Sequence, residues 1–362
     1  MEELPVAEVV AAVVEWYRQE GRVLSFRETR DPYRVWLAEV VFQQTRIEQG
    51  LAKLELLLER FPDVQTLAAA SLDDVLHVWE GLGYYTRARN LHRAAQELAR
   101  WPTLQGEAWP QTAADWETLP GIGPYTARAI AASAFGERVA VLDGNIYRVL
   151  SRYHADTTPI NQPASRRHYQ PLADAFMAAL QPTLPPATLN NALMDLGSLV
   201  CTPRTPRCSR CPLKVGCQAH LRQQPEDYPL KTDKHPTPTR YFQAFWIQDP
   251  ATSAFLAQQR DDRSWWKGLW ELPTREVTTF AEPGTGHSVW QELEHVFSHF
   301  KLRIRVYVVA PEHHADYQHL FPGAVWLTPR QAGERAFGKP MRQAVERLLS
   351  GRDSAPRIQE LF

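Results

Sequence analysis

The segment Leu119-Pro120-Gly121-Ile122-Gly123-Pro124-Tyr125-Thr126-Ala127 reads as a tight turn that opens directly into a helix. Gly121 and Gly123 let the backbone pass close to whatever faces the turn. Pro124 suits the first helical position, because its missing N–H would have no helical partner there. Small residues then run to Ala134. The free N–H groups and positive dipole end of that helix make a place for a phosphate. Taken alone, the same pattern serves equally well as a plain connection between two helices.

Downstream, Val141-Leu142-Asp143-Gly144-Asn145-Ile146-Tyr147-Arg148-Val149-Leu150 puts Asp143 where it caps a helix beginning near Asn145, and capping alone explains an Asp there. Upstream, Glu39 lies in Val35-Trp36-Leu37-Ala38-Glu39-Val40-Val41-Phe42. Its helical neighbours three and four residues away are Val35, Trp36, Phe42 and Gln43. A carboxyl held among apolar groups keeps its proton to higher pH, which is what a general acid needs. The alternative is a surface glutamate on a face turned to solvent.

All four cysteines fall in one stretch, Cys201, Cys208, Cys211 and Cys217, spaced C-x6-C-x2-C-x5-C. No other cysteine exists for them to pair with, which argues against a disulfide framework. Four thiolates from one short loop make an S4 site, suited to an iron–sulfur cluster or to zinc. Zinc ribbons favour paired C-x2-C knuckles and only one short pair occurs, so a 4Fe-4S cluster is the reading and zinc the alternative. The same stretch carries Arg204, Arg207, Arg210 and Lys214 and no acid.

Elsewhere charge nearly cancels, 40 Lys+Arg against 41 Asp+Glu, which excludes a uniformly basic nucleic-acid coat but not local phosphate contacts. With 362 residues, 22% charged and 44% hydrophobic, this is ordinary globular composition for about two domains. No apolar run nears the about 18–20 residues of a membrane span. Met1-Glu2-Glu3 has the wrong sign for a targeting peptide, so a cytoplasmic, nucleoid-associated protein is expected. Helical periodicity marks Val6–Tyr17, Trp36–Leu58, Leu72–Trp79 and Leu91–Leu98. Gln223–Arg240, with four prolines, reads as a linker. Beyond it Leu302, Ile304, Val306 and Val308 alternate as a strand with one buried face, Phe242–Ile247 and Phe255–Gln259 are further strands, and Arg342–Leu349 is a closing helix.

Together the hairpin turn, the Asp143 segment and the cysteine loop resemble the endonuclease III superfamily of helix–hairpin–helix DNA glycosylases. Within it they resemble the adenine DNA glycosylase (MutY) family, over nearly the whole chain. Trp36-Leu37-Ala38-Glu39-Val40 with Gln43-Gln44-Thr45 is similar to that family's catalytic-helix motif. Gly81-Leu82-Gly83-Tyr84-Tyr85-Thr86-Arg87-Ala88-Arg89-Asn90-Leu91 is similar to its strand-wedging segment. Lys267-Gly268-Leu269-Trp270-Glu271-Leu272-Pro273 resembles the opening of a Nudix fold, yet Thr274–Ser288 lacks the acidic signature run, which implies a recognition module. His295-Val296-Phe297-Ser298-His299-Phe300 resembles the family's Phe-Ser-His loop.

The resemblance implies a mainly α region, the helix–hairpin–helix glycosylase fold with its iron–sulfur loop 201–217, over residues 1–222. A linker over 223–240 and a smaller α/β Nudix-like domain over 241–362 follow. It implies double-stranded DNA as partner and removal of adenine opposite 8-oxoguanine or guanine from a base flipped out of the duplex. Glu39 would protonate adenine, Asp143 would stabilise an oxocarbenium-like sugar, and Tyr125 and Asn145 would stand nearby. Contacts to DNA and the lesion would come from Gln44, Thr45, Arg46, Tyr84, Arg87, Gly121, Gly123, Phe297, Ser298 and His299. Tyr125 stands where lyase members carry a nucleophilic lysine and cannot form a Schiff base, so strand cleavage is not expected. Pro124 stands where the family often has Arg, at the cost of one cation near the phosphate. Phe42 stands where the family commonly has Leu. A monomer without membrane contact is expected. The final Gln359-Glu360-Leu361-Phe362 faintly resembles a sliding-clamp peptide, one residue short, and otherwise reads as a frayed tail. A glycosylase of other base specificity and a non-catalytic lesion binder remain the competing readings.

Overall fold

Short polar residues start several of the helices. Asp31 accepts from Tyr33 N at 2.9 Å, Ser71 from Asp74 N at 3.1 Å and Thr112 from Asp115 N at 3.2 Å, each satisfying a donor the first turn leaves open. The computed structural model places these caps among helices α1 (Val6–Glu20), α2 (Pro32–Val41), α3 (Ile47–Arg60), α4 (Val64–Ala69), α5 (Leu72–Trp79), α6 (Thr86–Leu98), α7 (Ala113–Glu117), α8 (Pro124–Ile130), α9 (Gly144–His154), α10 (Ser165–Ala178), α11 (Pro186–Leu199) and α12 (Gln218–Leu221), at the starts of α2, α5 and α7. The structure describes residues 5–101, 109–232, 237–260, 265–280, 287–297 and 299–351. Among them no helix is long and apolar enough to cross a membrane. Ser298 and the tail Gln359–Phe362 lie outside the described residues.

The chain divides into two compact units, 1–68 with 93–234, and 69–92 with 235–362. In the first, the valines Val9, Val10, Val13 and Val14 of α1 enter a core with Ile146, Val149 and Leu150 of α9, Phe176 of α10 and Leu189, Leu193 and Leu196 of α11. Cys201, Cys211 and Cys217 pack against that core, so the cysteine loop is seated on it. A second layer is aromatic: Trp116 lies 6.2 Å from Trp36 and 6.0 Å from Trp109.

Two expectations are corrected here. The periodic run Trp36–Leu58 is not one helix but α2 and α3, broken over residues 42–46. Gln44 takes a left-handed φ of +54°, and the Phe42 ring turns back to stack on Phe26 at 4.3 Å. Periodicity survives such a break because the turn returns the chain to the same apolar core. The small-residue helix after Pro124 also ends sooner as α-helix, at Ile130, and widens into a π turn over Ala131–Phe135.

In the second unit, strands β1 (Thr239–Trp246), β2 (Phe255–Gln259), β3 (Trp270–Glu271), β4 (Thr274–Val277), β5 (His287–Val296), β6 (Lys301–Val309) and β7 (Val325–Leu327) form a four-stranded sheet ordered β4-β1-β6-β5 and a three-stranded one ordered β3-β2-β7. The pair β1–β6 is parallel and the other pairings are antiparallel. Helices α13 (His314–Leu320), α14 (Pro329–Gly333) and α15 (Lys339–Ser350) complete it. Leu302, Ile304 and Val306 are buried as expected, but Val308 is not; Tyr307 and Val309 are buried in its place. At that end Tyr317 and Phe321 cover the opposite face of the sheet, packed on Phe245 and Tyr307. Segment 69–92 is fixed to this unit by Arg342, which grips Glu80 through Nε at 2.6 Å and Nη2 at 2.9 Å, and by Arg335 on Asp73 at 2.7 Å.

Candidate active site

Helix α2 carries Glu39 on a turn that is apolar on nearly every side, so its carboxyl is surrounded by protein although the residue keeps part of its surface. Burial pushes this carboxyl up to about 7; the Arg27 guanidinium and the Tyr125 hydroxyl pull it down, and the charge of Asp143 pushes it further up. Asp143 caps α9, its Oδ1 accepting from Asn145 N at 2.9 Å and Ile146 N at 2.7 Å, its Oδ2 from Asn145 Nδ2 at 2.7 Å. Burial raises this carboxyl too, but three donors and the nearby Arg148 oppose the rise. The two carboxyls therefore sit in unlike surroundings: at Glu39 burial outweighs Arg27 and Tyr125, while Asp143 sits among N–H groups at a helix N-terminus.

Tyr125, near the start of α8, stays neutral because burial beside Glu39 and Asp143 holds its hydroxyl well above the ordinary range. That hydroxyl donates to Met194 Sδ at 3.3 Å. So helices α8, α2 and α9 bring Tyr125, Glu39, Asp143 and Asn145 together. Gly121 makes this possible at φ +75°, a left-handed turn before α8. Gly121 and Gly123 are exposed.

Four residues of this centre were not anticipated. Asp195 on α11, fully buried, accepts from Arg22 N and Nε, both at 2.9 Å, and from Arg27 Nη1 at 3.0 Å and Nη2 at 3.1 Å. Burial alone would raise its carboxyl; hydrogen bonds from both arginines outweigh that and hold it below the usual range. Arg27 is thereby committed to Asp195 while its charge is still felt at Glu39. The signal was available, since Leu193-Met194-Asp195-Leu196 is an acid in an apolar helical run like that around Glu39.

The fourth is Arg148 on α9. It donates to Cys201 O at 2.7 Å, Gly144 O at 3.2 Å, Asn145 Oδ1 at 2.8 Å and Gly197 O at 2.7 Å. One buried guanidinium thus ties the cysteine loop, α11 and the Asp143 cap. Arg148→Met would orphan these acceptors, and we expect a stability loss of about 3 kcal/mol, read as a lowered urea midpoint. A midpoint unchanged from wild type would contradict the assignment of this residue as a tie.

The four cysteines line one partly open pocket together with Arg152 and Lys214. Arg152 Nη1 donates to Cys201 Sγ at 3.3 Å, and burial with the neighbouring thiols pushes Cys211 up to about 12. Among the described residues no three His, Cys, Asp or Glu side chains close on a single point; the thiols stand around the pocket wall. A soft all-sulfur donor set around a partly open pocket, with the Arg152 cation beside it to offset thiolate charge, fits an iron–sulfur cluster.

The remaining residues are dispersed. Gln44 and Arg46 are exposed and Thr45 half-buried after α2. In the second unit, Tyr84 is 54% exposed at a left-handed φ of +45°, a conformation a bulky side chain ordinarily avoids. Arg87 turns onto its own segment, donating to Leu82 O at 3.1 Å with its guanidinium 5.1 Å from the Trp79 ring. Phe297 is half-buried and His299 exposed at the turn between β5 and β6.

Comparison with known proteins agrees with these parts. The profile described as HhH-GPD superfamily base excision DNA repair protein matches residues 37–172, and a NUDIX domain profile matches residues 243–347. The chain is 31% identical to a Rattus norvegicus protein called adenine DNA glycosylase, across 91% of this chain and 76% of that protein. It is 30% identical to a Homo sapiens protein of the same name, across 96% and 75%. A solved thermostable thymine-DNA glycosylase shares the fold over 60% of this chain and 97% of its own, at TM-score 0.54 and 23% identity. By its helix–hairpin–helix and Nudix parts and by these relatives, the chain belongs to the adenine DNA glycosylase family.

Proposed function

We propose that the protein removes adenine mispaired with 8-oxoguanine or guanine in duplex DNA and leaves an abasic site. It is a monofunctional DNA glycosylase, a hydrolase of N-glycosyl bonds in base excision repair. The observation that carries the mechanism is the unlike surroundings of the two carboxyls: burial pushes Glu39 up to about 7, and burial raises Asp143 too but against three N–H donors that favour its charged form.

The glycosidic bond is out of reach inside a duplex, so the adenosine is flipped into the site at an unstacking cost of a few kcal/mol. Exposed, strained Gln44 is suited to fill the gap it leaves, and Thr45 and Arg46 follow it on the same turn; Tyr84, exposed and strained in the second unit, is suited to meet the lesion strand. The exposed backbone at Gly121 and Gly123 and the helix after it take a phosphate. Glu39 delivers its proton to the ring nitrogen N7, so adenine departs neutral. Asp143, as carboxylate, faces the positive charge that develops on the sugar, and Asn145 holds it in place. Tyr125 stays neutral beside both. Water then completes the hydrolysis, with no Schiff base to the sugar and no strand cleavage through one, because Tyr125 offers no amine.

The second unit reads the opposite base, with Phe297, Ser298 and His299 in the recognition loop and Arg87 holding the segment of Tyr84. Cys201, Cys208, Cys211 and Cys217 would hold a 4Fe-4S cluster, whose bonds to all four thiolates would cross-link the basic loop. The test is a single-turnover excision assay with adenine opposite 8-oxoguanine, guanine or thymine, read with and without alkali. Breaks only after alkali, most with 8-oxoguanine, are expected. Breaks without alkali would demand a lyase nucleophile, and tight binding without breaks would make this a lesion-binding protein.

A further inference from the structure

In the second unit, Phe297 N donates to Phe300 O at 2.9 Å and closes the hairpin between β5 and β6. The Phe297 ring stacks on Phe300 at 4.5 Å and stands edge-on to His295 at 4.6 Å. Two indoles complete its surroundings, Trp266 at 5.6 Å and Trp265 at 6.3 Å. Both come from one turn, residues 265–268. Trp265 lies between the guanidiniums of Arg240, at 4.4 Å, and Arg260, at 4.3 Å.

Trp266 is the unusual member. It is 8% exposed and held at a left-handed φ of +57°, which an indole adopts only where its surroundings impose it. Its ring lies directly on Gly338, the cap of α15: a Cβ there would come within 2.7 Å of it. The same place anchors the segment of Tyr84. Tyr85, its neighbour, donates through its hydroxyl to Phe337 O at 3.2 Å, and Arg89 donates to Lys267 O, inside the turn, at 2.6 Å. One turn therefore contacts both the Phe297 hairpin and the stretch that presents Tyr84.

We propose that the 265–268 turn is a positioning element for recognition of an 8-oxopurine, with Trp266 wedged between Gly338 and Phe297 to fix the hairpin relative to the Tyr84 segment. This rests on the reading that Phe297 and Tyr84 meet the lesion pair. Trp266 need not touch DNA; it removes freedom from groups that do, so that the ordering cost of binding is met in advance.

The experiment is fluorescence anisotropy with full-length protein on duplexes carrying a non-cleavable adenosine analogue opposite 8-oxoguanine or guanine. Trp266→Ala is expected to cut the preference for the 8-oxoguanine duplex by about tenfold, by weakening that complex while leaving the guanine complex within about twofold. Trp266→Phe should restore part of the preference. Gly338→Ala, which displaces the indole without removing it, should move the preference the same way, and it carries the test should Trp266→Ala fail to fold. Folded variants with wild-type preference, or an equal loss on both duplexes, would overturn the proposal. A wild-type protein with no preference at all would instead remove the underlying recognition reading, and this inference with it.

Discussion

Glu39→Gln is expected to slow adenine excision by about 10⁴-fold while lesion-duplex affinity stays within about threefold of wild type. Gln keeps the shape and the hydrogen bonds of a protonated carboxyl but cannot release a proton to the leaving base. The same change should stabilise the protein. Glu39 holds its proton up to about 7 when folded, against 4.5 for an ordinary carboxyl, so between those values the folded state binds more protons than the unfolded one. Stability contributed at this position therefore falls as pH rises from 4.5 to 7 and stays low above it. Above pH 7 the glutamine variant should be more stable by on the order of 1–2 kcal/mol, allowing for the partial exposure of the residue. Paired single-turnover rates and melting curves at pH 6 and 8 check both effects. A wild-type rate in the variant would remove Glu39 from the chemistry.

Asp143→Asn is expected to reduce excision at least about a thousandfold. The amide oxygen can still accept from Asn145 N and Ile146 N, so the α9 cap and the fold survive, and what is lost is the negative charge facing the sugar. The companion variant Asp143→Ala removes the cap as well, and should cost about 1 kcal/mol of stability that Asp143→Asn does not. If Asp143→Asn retained wild-type rates while Asp143→Ala lost stability, the residue would be a cap and nothing more. Both carboxyl variants act on one centre, so the double variant should be little worse than either alone.

Glu39 and Asp143 were legible for the same physical reason: their surroundings are their neighbours in sequence. A helix places residues three and four positions away beside a side chain, and a cap acts on the next two or three N–H groups. The cysteine loop was legible because its donors are closely spaced. What was hidden is held over long separations. Arg27 and Asp195 are 168 residues apart, Arg148 and Cys201 53, and Arg342 and Glu80 262. Arg148 and Arg152 also lie on an amphipathic helix, where an arginine reads as solvent-facing, yet their donors satisfy backbone carbonyls of the cysteine loop. The grouping of residues 69–92 with the second unit rests on such long-range pairs and leaves no mark on composition. The turn over 42–46 was hidden differently, since an apolar period that resumes in phase conceals the break.

The most direct test of the account is the pH dependence of the single-turnover excision rate on adenine opposite 8-oxoguanine, measured for wild type and Glu39→Gln. A general acid that releases its proton near 7 predicts a wild-type rate that falls about tenfold per pH unit above that value, and a residual variant rate that lacks this limb. A wild-type rate that holds level or rises through pH 7–9 would contradict Glu39 as the proton donor and, with it, the proposed division of labour between the two carboxyls.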